Sequence, residues 1–345
     1  MRHISHSQLL SLLDLVAKSQ TLIAPKDMGK GHLHLRPVED SSEIVFEYTR
    51  TDLSAKEMVL PHTERIMRFE NRSGEITITD LFINKDQVVF GLRPCDAHGI
   101  ASLDSLFIRQ DPVDRHYSKR RDSTTLVGIS CPQMWDSCFC TSVGGSPTER
   151  KHLDVLLTEN EDGYFVDCVT ERGEMLFKNI ELEEVEQTRM SNVTLNDSVP
   201  VPEDNLWPTV FDHPYWQQVG ARCLSCKLCT FVCPTCRCFD LRDEPVTSNA
   251  ETVVHERIRT WDACTSPNYR TIAGGHNSRP QKGQRIRNRF YCKFHYYPVD
   301  YGAEGCVGCG RCIDVCPVNI DIVEVLHNVD TLLRQPATEV KEETR

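Results

Sequence analysis

Eight of the seventeen cysteines fall into two copies of one pattern: Cys223, Cys226, Cys229 and Cys233 before Pro234, then Cys306, Cys309, Cys312 and Cys316 before Pro317, with the copies 83 positions apart. Each run reads C-x2-C-x2-C-x3-C-P. That is the spacing by which small two-cluster proteins hold 4Fe–4S cubanes, the fourth cysteine of each run crossing to the other cluster. The chemistry on offer is therefore one-electron transfer. On this pattern Cys223, Cys226, Cys229 and Cys316 bind one cluster, and Cys306, Cys309, Cys312 and Cys233 the other. A tight turn aims three sulfurs at three different irons, and the proline stops the turn from running on. Zinc, the rival for any paired C-x2-C, takes four ligands from two pairs and has no use for a third and fourth cysteine at these offsets.

Nine cysteines lie outside the two runs. Cys95 and Cys131 each follow an apolar stretch that reads as a strand, and Cys138 and Cys140 follow closely. The carboxyl ends of strands in an open parallel sheet are where sites assemble, so these thiols are placed to converge. The expectation is a third 4Fe–4S cluster on Cys95, Cys131, Cys138 and Cys140, with a tetrahedral zinc site or free buried thiols as alternatives. Cys236 and Cys238 stand too close to Cys233 to be arranged freely. They can donate S–H hydrogen bonds to a cluster, replace a ligand, or form another site with Cys264. Cys168 and Cys292 read as ordinary buried thiols. Arg93, Asp96 and His98 flank Cys95, with Asp96 expected as a helix cap and His98 as a surface or core residue. No G-x-G-x-x-G fingerprint and no P-loop is present, so the sequence shows no hydride or nucleotide site of its own.

The elements that must position these residues divide in two. Residues 1–190 mix short apolar strands with helical stretches: strands are expected over 76–83, 88–92 and 125–129, with a helix running from Asp96 through Leu106. Strand, helix and strand in that order imply an α/β unit with a short parallel or mixed sheet. Residues 191–210 are polar and proline-bearing, a linker. Residues 211–335 are organised by the cysteines. About 70 residues separate the two runs, which favours a mainly helical two-cluster domain of ferredoxin-like type; helical spacing is read over 251–263 and 321–334. Residues 336–345 read as a frayed tail. The fold class is thus α+β.

The net charge of −11 argues against nucleic acid as the main partner. Against it stands a basic stretch, Arg279 to Lys293, read either as a solvated face or as a docking patch or set of donors near an anionic cluster. The leucines of the first twenty residues are interrupted by Asp14, giving an amphipathic helix rather than a signal peptide, and no apolar run approaches the roughly 20 residues of a membrane span. Thiolate ligands call for a reducing compartment, hence the cytoplasm.

The blocks GLRPCDAHGI (91–100), CPQMWDSCFCTSVGG (131–145), HPYWQQVGARCLSCKLCTFVCPTCRCFD (213–240), RTWDAC (259–264), AGGHNSRPQKGQRIRNRFYCKF (273–294) and GCVGCGRCIDVCPVNI (305–320) resemble the iron–sulfur subunits of the sulfhydrogenase beta and anaerobic sulfite reductase A type. The resemblance runs from about residue 80 to 325. It implies an electron-transfer subunit of a cytosolic complex, working between a flavin subunit that handles NAD(P)H and a catalytic redox subunit of hydrogenase, sulfite or sulfur reductase, or heterodisulfide-reductase type. The expectation is a non-catalytic subunit. The rival is an enzyme that reduces a sulfur species at the Cys95/Cys131/Cys138/Cys140 site, with Arg93 binding the anion and His98 giving the proton.

Overall fold

A computed structural model describes residues 1–335 except Asn84, 187–192 and Ala250. The first two residues of the expected linker and the whole of the expected tail lie outside the described residues. The strands are β1 (Arg2–Ser5), β2 (Thr21–Asp27), β3 (Leu33–Val38), β4 (Thr63–Arg72), β5 (Glu75–Asp80), β6 (Gln87–Leu92), β7 (Thr124–Ile129), β8 (Val155–Asn160), β9 (Gly163–Cys168), β10 (Glu183–Glu184), β11 (Phe239–Ser248) and β12 (Thr252–Trp261).

Eight of them form one mixed sheet in the order β10-β1-β9-β8-β7-β6-β2-β3. Its centre, β2-β6-β7-β8, is parallel, and its flanks are antiparallel. The central strands read as continuous apolar runs because both faces are covered. Ser5 caps the helix His6–Ser19, whose Leu9, Leu12, Leu13 and Val16 pack on one face beside Val88, Phe90 and Val127. The helix Pro94–Phe107 covers the other face, where Ile100, Leu103 and Phe107 meet Val89 and Leu126. A third core, built on Trp207, Trp216, Phe290 and Tyr291 under the helix Ile322–Arg334, belongs to the cysteine-rich half.

Two local readings are corrected. Residues 251–263 are not helical: β12 occupies Thr252–Trp261 and pairs with β11 on one side and β4 on the other. Val254, Glu256 and Ile258 are buried at alternate positions, and that period of two, with β-branched residues and two waiting strand partners, overrides the local helical spacing. The cysteine-rich half therefore contributes a hairpin to a sheet it shares with β4 and β5 of the first half. Asp96 is not a cap either. Arg93 holds the N-cap position, Pro94 opens the helix, and Asp96 sits in the first turn, where it is buried against Arg311. No helix among the described residues is long and apolar enough to cross a membrane.

Candidate iron–sulfur centres

The two cysteine runs adopt the same backbone. Short helices follow at Leu228–Phe231 and Arg311–Asp314, again 83 residues apart. Before them, Ser225 (φ 56°) and Lys227 (φ 69°) take the left-handed conformation that Gly308 (φ 61°) and Gly310 (φ 70°) take in the second run. These reversals curl the chain around its thiols, and amides turn towards sulfur: the Ser225 N–H donates to Cys223 Sγ at 3.3 Å, and after Asn319 (φ 52°) the Ile320 N–H donates to Cys316 Sγ at 3.2 Å. Hydrogen bonds of this kind stabilise thiolate charge and tune a cluster's potential.

Cys223, Cys226 and Cys229 line one pocket together with Cys316 of the other run, and Ile286, Phe290 and Ile322 make its apolar wall. Cys226 is exposed, and Leu224 and Leu228 beside it lie on the surface. Cys233 turns away to the second run, where its charge acts on the Cys306 and Cys312 thiols, and Cys309 acts on both as well. Burial pushes the Cys306 thiol up to about 11 and raises Cys312 further. Bare thiolates are costly in such a setting, and a cationic iron core supplies the compensating charge. Four converging sulfurs with dry walls and amide donors suit a cubane.

The first half supplies another quartet. Cys95 follows β6 and Cys131 follows β7, neighbouring parallel strands, and both line one pocket with Cys138 and Cys140. Burial raises the Cys131 thiol to about 11 and the Cys140 thiol to about 12. Cys309 lines the same pocket, and the Cys138 thiol donates to its carbonyl at 3.5 Å. The loop carrying Cys138 and Cys140 is clamped to the second run: the Phe139 N–H donates to Gly308 O at 2.8 Å, and a Cβ on Gly308 would stand 2.5 Å from Cys140 N. A side chain on Gly310 would strike Ser137. The first run carries side chains at the matching positions, Ser225 and Lys227, and Lys227 reaches Asp262 at 2.7 Å. Gly308→Ala should push the Phe139–Cys140 loop away, and if the first-half quartet holds a cubane it should lower iron content by about four atoms per chain. Iron assay with cluster EPR checks this, and full occupancy in the variant would refute the clamp.

Several functional residues were missed or only half seen. Arg285, Arg289 and Lys293 are spaced i, i+4, i+8 and all are buried, so one face of the basic stretch points inward. Lys293 Nζ lies 3.1 Å from Cys233 Sγ and donates to Gly305 O at 2.9 Å. Arg289 donates to Cys229 O at 3.0 Å and to Cys236 Sγ at 3.5 Å. The four-residue spacing of buried cations is the signal that could have found them. Lys293→Met should lower the midpoint potential of the adjacent centre by about 100 mV, the order expected for one unit charge about 7 Å from the centre of the cluster at an effective dielectric near 20. The sign follows from losing a positive charge that favours the reduced, more negative state. An EPR-monitored redox titration gives the value, and an unchanged potential would rule out the role.

Arg93 lines the Cys95 pocket with most of its guanidinium held by backbone carbonyls, and His98 lies outside that pocket. Arg93 donates to the carbonyls of Ser130, at 2.8 Å, Ile129 and Tyr48. His98 pairs with Glu304 at 3.1 Å, stacks on His152, and stands outside the residues lining the Cys95 pocket. Cys236 hydrogen-bonds Cys233, and Cys238 bonds Cys264. Cys292 shares a cavity with Cys236, Cys238 and Cys264, while Cys168 lies apart beside Arg2 on β9.

Residues 222–320 match the family model described as a 4Fe-4S dicluster domain. Sulfhydrogenase 2 subunit beta of Pyrococcus furiosus is 34% identical over 306 residues, covering 85% of this chain and 87% of that relative. No solved structure matches the chain. Two 4Fe–4S clusters and a role in iron–sulfur electron transfer accord with both matches. The chain belongs to the sulfhydrogenase beta and anaerobic sulfite reductase A family of 4Fe–4S dicluster proteins.

Proposed function

We propose that this chain is an electron-transfer subunit whose thiols hold three 4Fe–4S clusters in a row. In this reading Cys95, Cys131, Cys138 and Cys140 hold the first, Cys306, Cys309, Cys312 and Cys233 the central one, and Cys223, Cys226, Cys229 and Cys316 the last. The observation that carries it is continuity: Cys309 lines the first-half pocket, and Cys312 lines the pocket of the first run. Each cubane supplies reversible one-electron storage. The chain's own part is to space the sulfurs, keep water from the central quartet, and set potentials through Lys293, Arg289 and the amide donors. Each end of the row reaches a face a partner can cover, with exposed Trp135 at the first and Leu224, Cys226 and Leu228 at the last.

The partners in this reading are a flavin subunit that handles NAD(P)H and a catalytic redox subunit, in a cytoplasmic hetero-oligomer. The similarity to a sulfhydrogenase beta subunit supports it, as does the need of thiolate ligands for a reducing compartment. Anaerobic iron and sulfide assay with low-temperature EPR on the intact chain tests the reading. About twelve irons with three interacting signals is the expected result, whereas about eight would confine the relay to the two C-terminal clusters.

A further inference from the structure

Beside the central quartet lies a cavity of about 520 Å³ that the electron relay does not use. Four further thiols face it: Cys236, Cys238, Cys264 and Cys292. Its charge is strongly positive. Arg237 lies over the rings of Tyr297 and Tyr301, its Cζ 3.9 and 4.9 Å from their centroids, and donates to Cys292 Sγ at 3.7 Å. Arg270 and Arg279 also line the cavity, against a single carboxylate, Asp300. Arg289 and Lys293 form its inner wall and reach the thiol of Cys236 and of Cys233 respectively.

Two of the thiols are already paired. The Asp262 N–H donates to Cys238 O at 2.9 Å, tying the two segments together, and the Cys238 and Cys264 sulfurs share a hydrogen bond. That bond, against the effect of burial and with help from Tyr269 and Arg237, brings the Cys238 thiol down to about 6. A thiolate held next to a second thiol is the arrangement of a dithiol that exchanges with disulfides. Cys236 closes the gap to the relay, since it hydrogen-bonds Cys233 and lines the cavity.

We propose that Cys238 and Cys264 are a redox-active dithiol that reduces an anionic disulfide bound in this cavity, using electrons from the chain's own iron–sulfur centres. The proposal rests on the relay reading above. The Cys238 thiolate attacks one sulfur of the substrate, breaking its S–S bond, expelling one thiolate and forming a mixed disulfide. Cys264 then attacks the Cys238 sulfur, expels the second thiolate and leaves a Cys238–Cys264 disulfide. The proton that Cys264 loses neutralises one of the two leaving thiolates, and solvent protonates the other. Two electrons, delivered singly by reduced centres, and one proton from solvent restore the thiolate–thiol pair. The arginines hold the negative flanks of the substrate, whose carboxylates they can grip bidentately.

The test uses the intact chain with its clusters, reduced with dithionite, desalted under argon and mixed with glutathione disulfide. EPR follows the reduced clusters, and mass spectrometry maps the thiols. In the parent chain the reduced signal should decay while a Cys238–Cys264 linkage forms. Cys238→Ser should slow the decay by more than about tenfold, and Cys264→Ser should trap a glutathione adduct on Cys238. Cys168→Ser, which lies apart from the cavity beside Arg2, should discharge normally, which separates the effect from loss of any one thiol. The proposal is overturned if the parent clusters reduce reversibly yet neither discharge nor give the linkage, or if both variants discharge at the parent rate. Centres that cannot be reduced at all would instead overturn the relay reading, and this proposal with it.

Discussion

Replacing Cys316 with serine is expected to empty the centre of the other run. Iron should fall by about four atoms per chain, with loss of the signal assigned to Cys223, Cys226 and Cys229, while the centre of Cys306, Cys309 and Cys312 persists. Cys233→Ser should do the converse. The reason is spatial: Cys316 shares a pocket with the first three cysteines, and Cys233 acts on Cys306 and Cys312. Each centre thereby fastens two segments some 80 residues apart, so removal should also loosen the cysteine-rich half, because metal binding in such sites is folding free energy. Iron assay and EPR on both variants decide the matter. Loss of the home-run signal in either would mean that the fourth cysteines do not cross.

The second large effect is expected at Arg311, inside the second cysteine run. Its guanidinium forms a bidentate pair with Asp96, both bonds 2.9 Å, and donates to Thr51 O at 2.9 Å. Both side chains are almost fully buried, at 1% and 2% exposure. This pair joins the helix Pro94–Phe107, which starts beside Cys95, to the short helix that carries Cys312. Breaking a buried pair from one side strands the other charge, so Arg311→Met or Asp96→Leu alone should each cost about 3–5 kcal/mol. The double variant should cost much less than the sum. Denaturant melts of the cluster-loaded chains form the double-mutant cycle, and additive losses would show that the pair is not coupled. If the first-half quartet holds a cubane, its iron should be lost with either single change, since the pair fixes the helix on which Cys95 sits.

Spacing alone announced the two C-terminal centres, because a cubane demands three sulfurs from one tight turn and the chain meets that demand within seven residues. It also foretold the parallel strands that end at Cys95 and Cys131, since buried strands read as short apolar runs. Other features depended on distant partners. β12 lies where local spacing looked helical; it is a strand because it pairs with β11 on one side and, on the other, with β4 nearly two hundred residues earlier. Asp96 had the look of a helix cap until Arg311 was found against it. Nothing local distinguishes Gly308 and Gly310 from Ser225 and Lys227, which share their backbone conformation; the glycines are required because a loop from the first half lies over them. A site of Cys236 and Cys238 with Cys264 was among the readings the sequence allowed, but Cys292, 56 residues beyond Cys236, joins their cavity only in the fold. Ligand spacing is a property of one turn of chain and can be read from it, whereas burial, ion pairing and convergence between turns exist only once the chain has folded upon itself.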